Sequence, residues 1–147
     1  MNESDAFRFS EQQEFSIEDL VSLYRAVGWS SADKPEQLKA ALANSHSVIS
    51  AWVGNELVGL GNSLSDGQLV VYYPHLLVRP LFQGKGIGKE IVERLKTKYH
   101  GIHQHILVAV NEAVDFYERC GFQRAGQTVS MWIYDGGDHD DKAAAGR

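Results

Sequence analysis

Between Gln83 and Lys89 the chain reads Gln-Gly-Lys-Gly-Ile-Gly-Lys, three glycines alternating with Lys85 and Ile87 and leading into an amphipathic stretch. Glycine permits positive φ and lets a ligand come close to the backbone. Successive N–H groups at a helix start, backed by the positive end of the helix dipole, form a concave anion site. The chemistry offered is phosphate binding. Neither common nucleotide signature fits. The fingerprint G-x-G-x-x-G would need glycine where Lys89 stands, and the P-loop G-x-x-x-x-G-K-[ST] would need glycine at Gln83 and a hydroxyl at Glu90. A plain glycine-rich strand-to-helix turn stays open at this stage.

Other reactive residue types are sparse. His100, His103 and His105 match no zinc spacing and have no cysteine to support them, so no metal is expected. The single cysteine, Cys120, stands before Gly121 and reads as a small buried hydrophobe rather than a nucleophile. Length, 147 residues, suits one domain with a real core. A hydrophobic fraction of 44% and a charged fraction of 22% are those of a soluble globular protein. The net charge of −5 disfavours nonspecific binding to nucleic acid or anionic membrane. With no apolar leader in Met1–Ser10 and no long apolar run, the expectation is a cytoplasmic protein.

The elements that must position the loop follow in order. Phe7 to Phe9 predicts a short first strand. Ser16 caps a helix, with Asp19 reaching back and Phe15 stapled onto Leu20; Leu20, Val21, Leu23, Tyr24 and Val27 give it a buried face, and Gly28 stops it. Trp29–Asp33 is a loop, and a second helix runs from Pro35 through Leu42. Val48–Val53, Leu57–Leu64 and Gln68–Val78, joined by short turns, predict an antiparallel meander. Pro74 lies inside the last of these strands, where a bulge or broken pairing is expected. The helix after the loop turns Ile87, Ile91, Val92, Leu95 and Tyr99 inward. Ile106–Val110 reads as a buried strand, Asn111 as the cap of a short helix ended by Gly121, and Thr128–Tyr134 as a last strand. Residues 1–134 are expected to form one domain, and Asp135–Arg147 a disordered acidic tail.

Two separated segments resemble the GNAT superfamily of acyl-CoA-dependent N-acyltransferases. Gln83-Gly84-Lys85-Gly86-Ile87-Gly88 matches that family's Q/R-x-x-G-x-G/A loop, preceded by Leu77, Val78 and Pro80. Asn111-Glu112-Ala113-Val114-Asp115-Phe116-Tyr117-Glu118-Arg119-Cys120-Gly121-Phe122 is similar to its N-x-x-A-x-x-F-Y-x-x-x-G-F segment, with one residue fewer between Asn111 and Ala113. The likeness covers roughly Val48 to Tyr134. It implies an α/β (α+β) fold: a mixed, mostly antiparallel central sheet, splayed between its fourth and fifth strands and flanked by about four helices, with acetyl-CoA in the gap.

The resemblance also implies roles. Backbone groups of Leu76, Leu77 and Val78 would pair with the pantetheine, amides of Gln83, Gly84, Lys85, Gly86, Ile87, Gly88 and Lys89 would hold the pyrophosphate, and Asn111 would touch the cofactor arm. Tyr117 is expected to stabilise the departing thiolate. His75, with an ordinary pKa of about 6.5, is the candidate base or proton relay, a water wire being the alternative. Tyr73 shares its face if alternation holds, and Trp29 and Tyr24 are candidates to wall the acceptor pocket. The implied reaction is acetyl transfer to a primary amine in a ternary complex. The other reading is a non-catalytic acyl-CoA sensor on the same fold. The implied partner is a small-molecule or peptide amine, with a homodimer among the assemblies left open.

Overall fold

The computed structural model describes residues 7–137. In chain order come β1 (Phe7–Ser10), α1 (Ile17–Ala26), α2 (Pro35–Ala43), β2 (Ser47–Val53), β3 (Glu56–Ser65), β4 (Val70–Tyr72), β5 (Leu76–Val78), α3 (Ile87–Lys98), β6 (Gln104–Ile106) and α4 (Val114–Arg119). The Ser16 side chain accepts the Asp19 N–H at 3.1 Å and so starts α1 as its residue type dictates. Past the end of that helix Gly28 takes φ +75° and donates its N–H to the Arg25 carbonyl.

The strands form one mixed sheet in the order β1-β2-β3-β4-β6, with β5 also paired to β3. All pairings are antiparallel except β4 with β6. Alternation along β2 and β3 sends side chains to two cores. On one face Val48, Leu57 and Leu60 meet Leu20, Leu23, Leu38 and Leu42 of α1 and α2. On the other, Ile49, Ala51 and Val58 meet Ile87, Ile91 and Leu95 of α3. No helix of the described residues is long and apolar enough to cross a membrane.

The contact between β3 and α3 is close because β3 lacks side chains there. A Cβ at Gly61 would lie 2.7 Å from Ile91 Cγ2, and one at Gly59 3.2 Å from Ile87 Cγ2. This helix carries the glycine loop at its head, so the depth of its seating sets where the loop stands relative to the sheet.

The break expected at Pro74 is present: the segment Gln68–Val78 is two short strands, because Pro74 has no N–H to give a ladder and the chain steps from one alignment on β3 to another. Three expectations need correction. The strand expected at Ile106–Val110 is Gln104–Ile106, and the rest of that run is not buried: Val108 is 51% exposed. Its would-be neighbour has left with β5. Asn111 caps nothing; it begins a 3-10 turn with no side-chain cap, closed by Ala113 N–H to the Val110 carbonyl. Thr128–Tyr134 is no strand, since its tyrosine and its neighbour Asp135 are tied to the loop after α1 instead of to a sheet edge. Of the expected tail, residues 138–147 lie outside the described residues.

Gly61→Ala is expected to lower unfolding free energy by about 1–3 kcal/mol through overpacking against Ile91. Urea unfolding with an unchanged midpoint would show that α3 is free to move away.

Candidate active site

The site begins where the sheet divides. β4 and β6 stay paired to Tyr72 and Ile106, and the last bond runs from Tyr73 N–H to the Ile106 carbonyl at 3.0 Å. After Pro74 the chain swings back to β3, aligning Leu76 with Gly61 and Val78 with Gly59. The chain after β6 goes its own way, and residues from both sides line one cleft of about 910 Å³.

Hydrogen-bond alternation decides which backbone groups face that gap. The His75 carbonyl accepts from Asn62 N–H at 3.1 Å and Arg79 N–H donates to Val58, so His75, Leu77 and Arg79 turn toward β3. Leu76 and Val78 therefore turn the other way. The Val78 carbonyl is met by Gln83 Nε2 at 2.9 Å, while Leu76 is left at the open edge.

His75 is held from three directions. Its N–H donates to Asn62 Oδ1 at 3.0 Å, its Nδ1 lies 2.7 Å from the Tyr24 hydroxyl, and the Trp29 ring meets it edge-on with centroids 5.5 Å apart. Burial lowers its pKa to about 4, so the ring is neutral near pH 7. Tyr24 itself is sealed from solvent, and burial drives its hydroxyl far above the ordinary tyrosine range. It backs His75 rather than walling the cleft.

Trp29, Tyr73, Leu76, Asn111 and Tyr117 line the cleft with His75. Tyr73 is also bonded to His105 Nδ1 through its hydroxyl, at 2.8 Å. Tyr117 is half-buried, set by edge-on contacts with Phe116 and Phe122, and burial pushes its pKa up to about 12. The residues Gln83–Lys89 do not line this cleft; they sit at the head of α3, where a Cβ built on Gly88 would stand 3.4 Å from the Phe116 ring and 3.7 Å from Val78. Leu77 has its side chain in the core and its backbone turned toward β3, so the pairing expected of it with a pantetheine arm is taken by β3 instead; Ile87 has its side chain in the other core and only its backbone at the head of α3. Cys120 is buried, and burial raises its thiol pKa.

Sequence reasoning missed three contributors. Asn62, buried in the middle of β3, pins both backbone groups of His75. A lone amide in an otherwise apolar and small-residue strand needs a partner, and that was the available signal. Trp132 and Tyr134 also line the cleft, with Tyr134 bonded to Ser30 and Asp135 paired to Lys34. Nothing local in the sequence announces that crossing.

A sheet divided at a broken strand, with a glycine turn heading the next helix, places the fold among acyl-transferring α/β proteins. The chain belongs to the GNAT acetyltransferases: the family described as "Acetyltransferase (GNAT) domain" matches residues 11–132. It is similar to an N-acetyltransferase of Prochlorococcus marinus, 26% identical over 140 residues that span 89% of this chain and 77% of that one. It is 33% identical over 129 residues to a soybean (Glycine max) protein named as a histone acetyltransferase, covering 78% of this chain but only 55% of that relative. A GNAT-family acetyltransferase structure from Streptococcus pneumoniae superposes with a TM-score of 0.76 at 29% identity, over 88% of this chain and 99% of its own.

The depressed His75 pKa has a stability consequence. Its folded value, about 4, lies below the unfolded value near 6.5, so protonation favours unfolding. The contribution is complete above about pH 6.5 and is lost as pH falls toward 4. The stability difference between wild type and His75→Gln should shift by roughly 2 kcal/mol between pH 7 and pH 4.5 in chemical denaturation. A pH-independent difference would contradict the buried, neutral ring.

Proposed function

We propose that the protein transfers an acetyl group from acetyl-CoA to a primary amine by direct attack in a ternary complex, with no covalent enzyme intermediate. The observation that carries this reading is the open backbone edge at Leu76 sharing one cleft with the Tyr117 side chain. Residues 1–134 act in it as one domain, in the cytoplasm.

The residues fit the cofactor. Gly84 and Gly86 have φ near +80° and +85°, and nothing lies within 4 Å of where a Cβ would stand, so the turn is a cradle open to a diphosphate. The N–H groups of Ile87, Gly88 and Lys89 belong to the first turn of α3, where no helical carbonyl precedes them. Leu76 offers an unpaired strand edge to the amides of the pantetheine arm, with Val78 and Asn111 beside it. Acetyl-CoA supplies an activated acyl carbon as a thioester.

The chain's own part is to orient, to stabilise charge and to manage protons. The amine must arrive neutral. Its lone pair forms the C–N bond, the C–S bond then breaks, the surplus amine proton leaves, and the thiolate is protonated. A His75 with a pKa near 4 is a poor acceptor for a proton from an ammonium of pKa about 10.4. The proton's route is the solvent-open cleft. Tyr117 stays protonated at neutral pH and gives the thiolate a hydrogen bond, the final proton coming from solvent. The N–H of Leu76 faces the gap as a donor for the acyl oxygen as it gains charge. The name of the soybean relative supports a lysine or peptide amine among the acceptors; Trp29 and Tyr73 are the side chains such a group would meet.

Thiol release with a panel of amines tests the reading. CoA binding without thiol release from any amine would leave a sensor on the same fold. Tyr117→Phe is expected to lower kcat by roughly tenfold to a hundredfold with little change in the Kd for acetyl-CoA, and an unchanged rate would remove Tyr117 from the chemistry. Gly86→Val must force a β-branched residue into a left-handed backbone, and calorimetry should show CoA binding weakened by about tenfold or more.

A further inference from the structure

We infer that His75 serves as a hydrogen-bond donor to the reacting acyl oxygen, and not as the base, because Tyr24 holds its ring in the Nε2–H tautomer. The catalytic half of this rests on the acetyl-transfer reading; the tautomer stands on the ligand-free geometry alone.

Tyr24 is 0% exposed, and among the described residues its hydroxyl has one hydrogen-bond partner, His75 Nδ1 at 2.7 Å. A phenol has one proton to donate. If Nδ1 carried the ring proton and donated to the phenol oxygen, the phenol proton would be buried with no acceptor, which costs its full desolvation. If Nδ1 accepts, every group in the pair is satisfied. The neutral ring then carries its proton on Nε2, the nitrogen that Tyr24 does not use.

The ring has no easy way out of this arrangement. Tyr24 and Trp29 meet it edge-on at 5.4 and 5.5 Å, and Asn62 fixes both backbone groups of the residue. A second proton would create an imidazolium among aromatic rings, which burial opposes. Nε2 can give a hydrogen bond but cannot readily take a proton. His75 lines the cleft directly beside Leu76, whose N–H faces the gap. One side-chain donor and one backbone donor on adjacent residues make a pair of the kind that stabilises an oxygen gaining negative charge. Tyr24 is the positioning residue.

Two substitutions separate donor from base. His75→Gln keeps an N–H near the Nε2 position and has no basic nitrogen. It should retain kcat within about tenfold of wild type, whereas His75→Ala should lose roughly a hundredfold. Equal losses in the two would overturn the donor role. The tautomer is read without turnover, from long-range ¹H–¹⁵N spectra of ¹⁵N-histidine-labelled wild type, with His75 assigned by its disappearance in His75→Gln. The expected result is a proton on Nε2 and a bare Nδ1 from pH 5 to 8. A proton on Nδ1 would overturn the inference even if the variants fold poorly. Tyr24→Phe should convert the His75 signals to a tautomer mixture and lower kcat more than it raises the KM for acetyl-CoA; an unchanged tautomer would remove Tyr24 from the argument. Wild type that shows the Nε2–H tautomer yet releases no thiol with any amine would overturn the catalytic half and the acetyl-transfer reading together.

Discussion

Pro74 has no N–H, and the strand that contains it cannot stay paired on both sides. β4 is joined to β6 up to Tyr73, and three residues later β5 is joined to β3 alone. The chain could have turned away altogether at that point. It is drawn back because the Asn62 amide receives His75 and because Arg79 donates to the Leu57 carbonyl and to Ser22 of α1. A broken strand held at both ends of the break is what creates a gap with an unpaired backbone edge. The cleft, the placing of His75 and the orientation of Leu76 all descend from it.

A second constraint sets the other end of the gap. α3 lies close on β3 because Gly59 and Gly61 present no side chains, and the glycine turn at its head is carried along with it. Phe116 of the short α4 lies over the first turn of α3 at Gly88, and the next residue, Tyr117, lines the cleft. Two glycines of β3 thus control how near the glycine turn stands to the sheet. Packing and site geometry are the same fact here.

Much of this could be read from the letters. The Ser16 cap, the Pro35 start, the inward stripe of α3 and the break at Pro74 are local signals, and local signals survive folding. The glycine turn and the Asn111–Phe122 segment carried the family resemblance, and the family is the one the chain belongs to. The fate of two extended runs was harder to see. Val108 and Val110 look like core by composition, but burial depends on a neighbour that β5 takes elsewhere. Thr128–Tyr134 has strong strand-forming residues, yet tertiary ties at Ser30 and Lys34 decide its course. The His75 environment was illegible for a similar reason: Tyr24 is 51 residues away, and only the packing of α1 on the sheet unites them.

The strand side of the gap is suspended from one ten-residue ribbon. β5 hangs on the middle of β3 and β4 on its end, with β6 beyond β4. Among the described residues β4 and β5 share β3 as their ladder partner, so parting them would require tearing that ladder, while the opposite wall at residues 108–113 and 132–134 is held by no strand. On the acetyl-transfer reading this edge stands ready-made, and the entropy lost on association would fall mainly on the flexible arm of the incoming molecule. An edge built this way would discriminate by length and register, much as a ruler does.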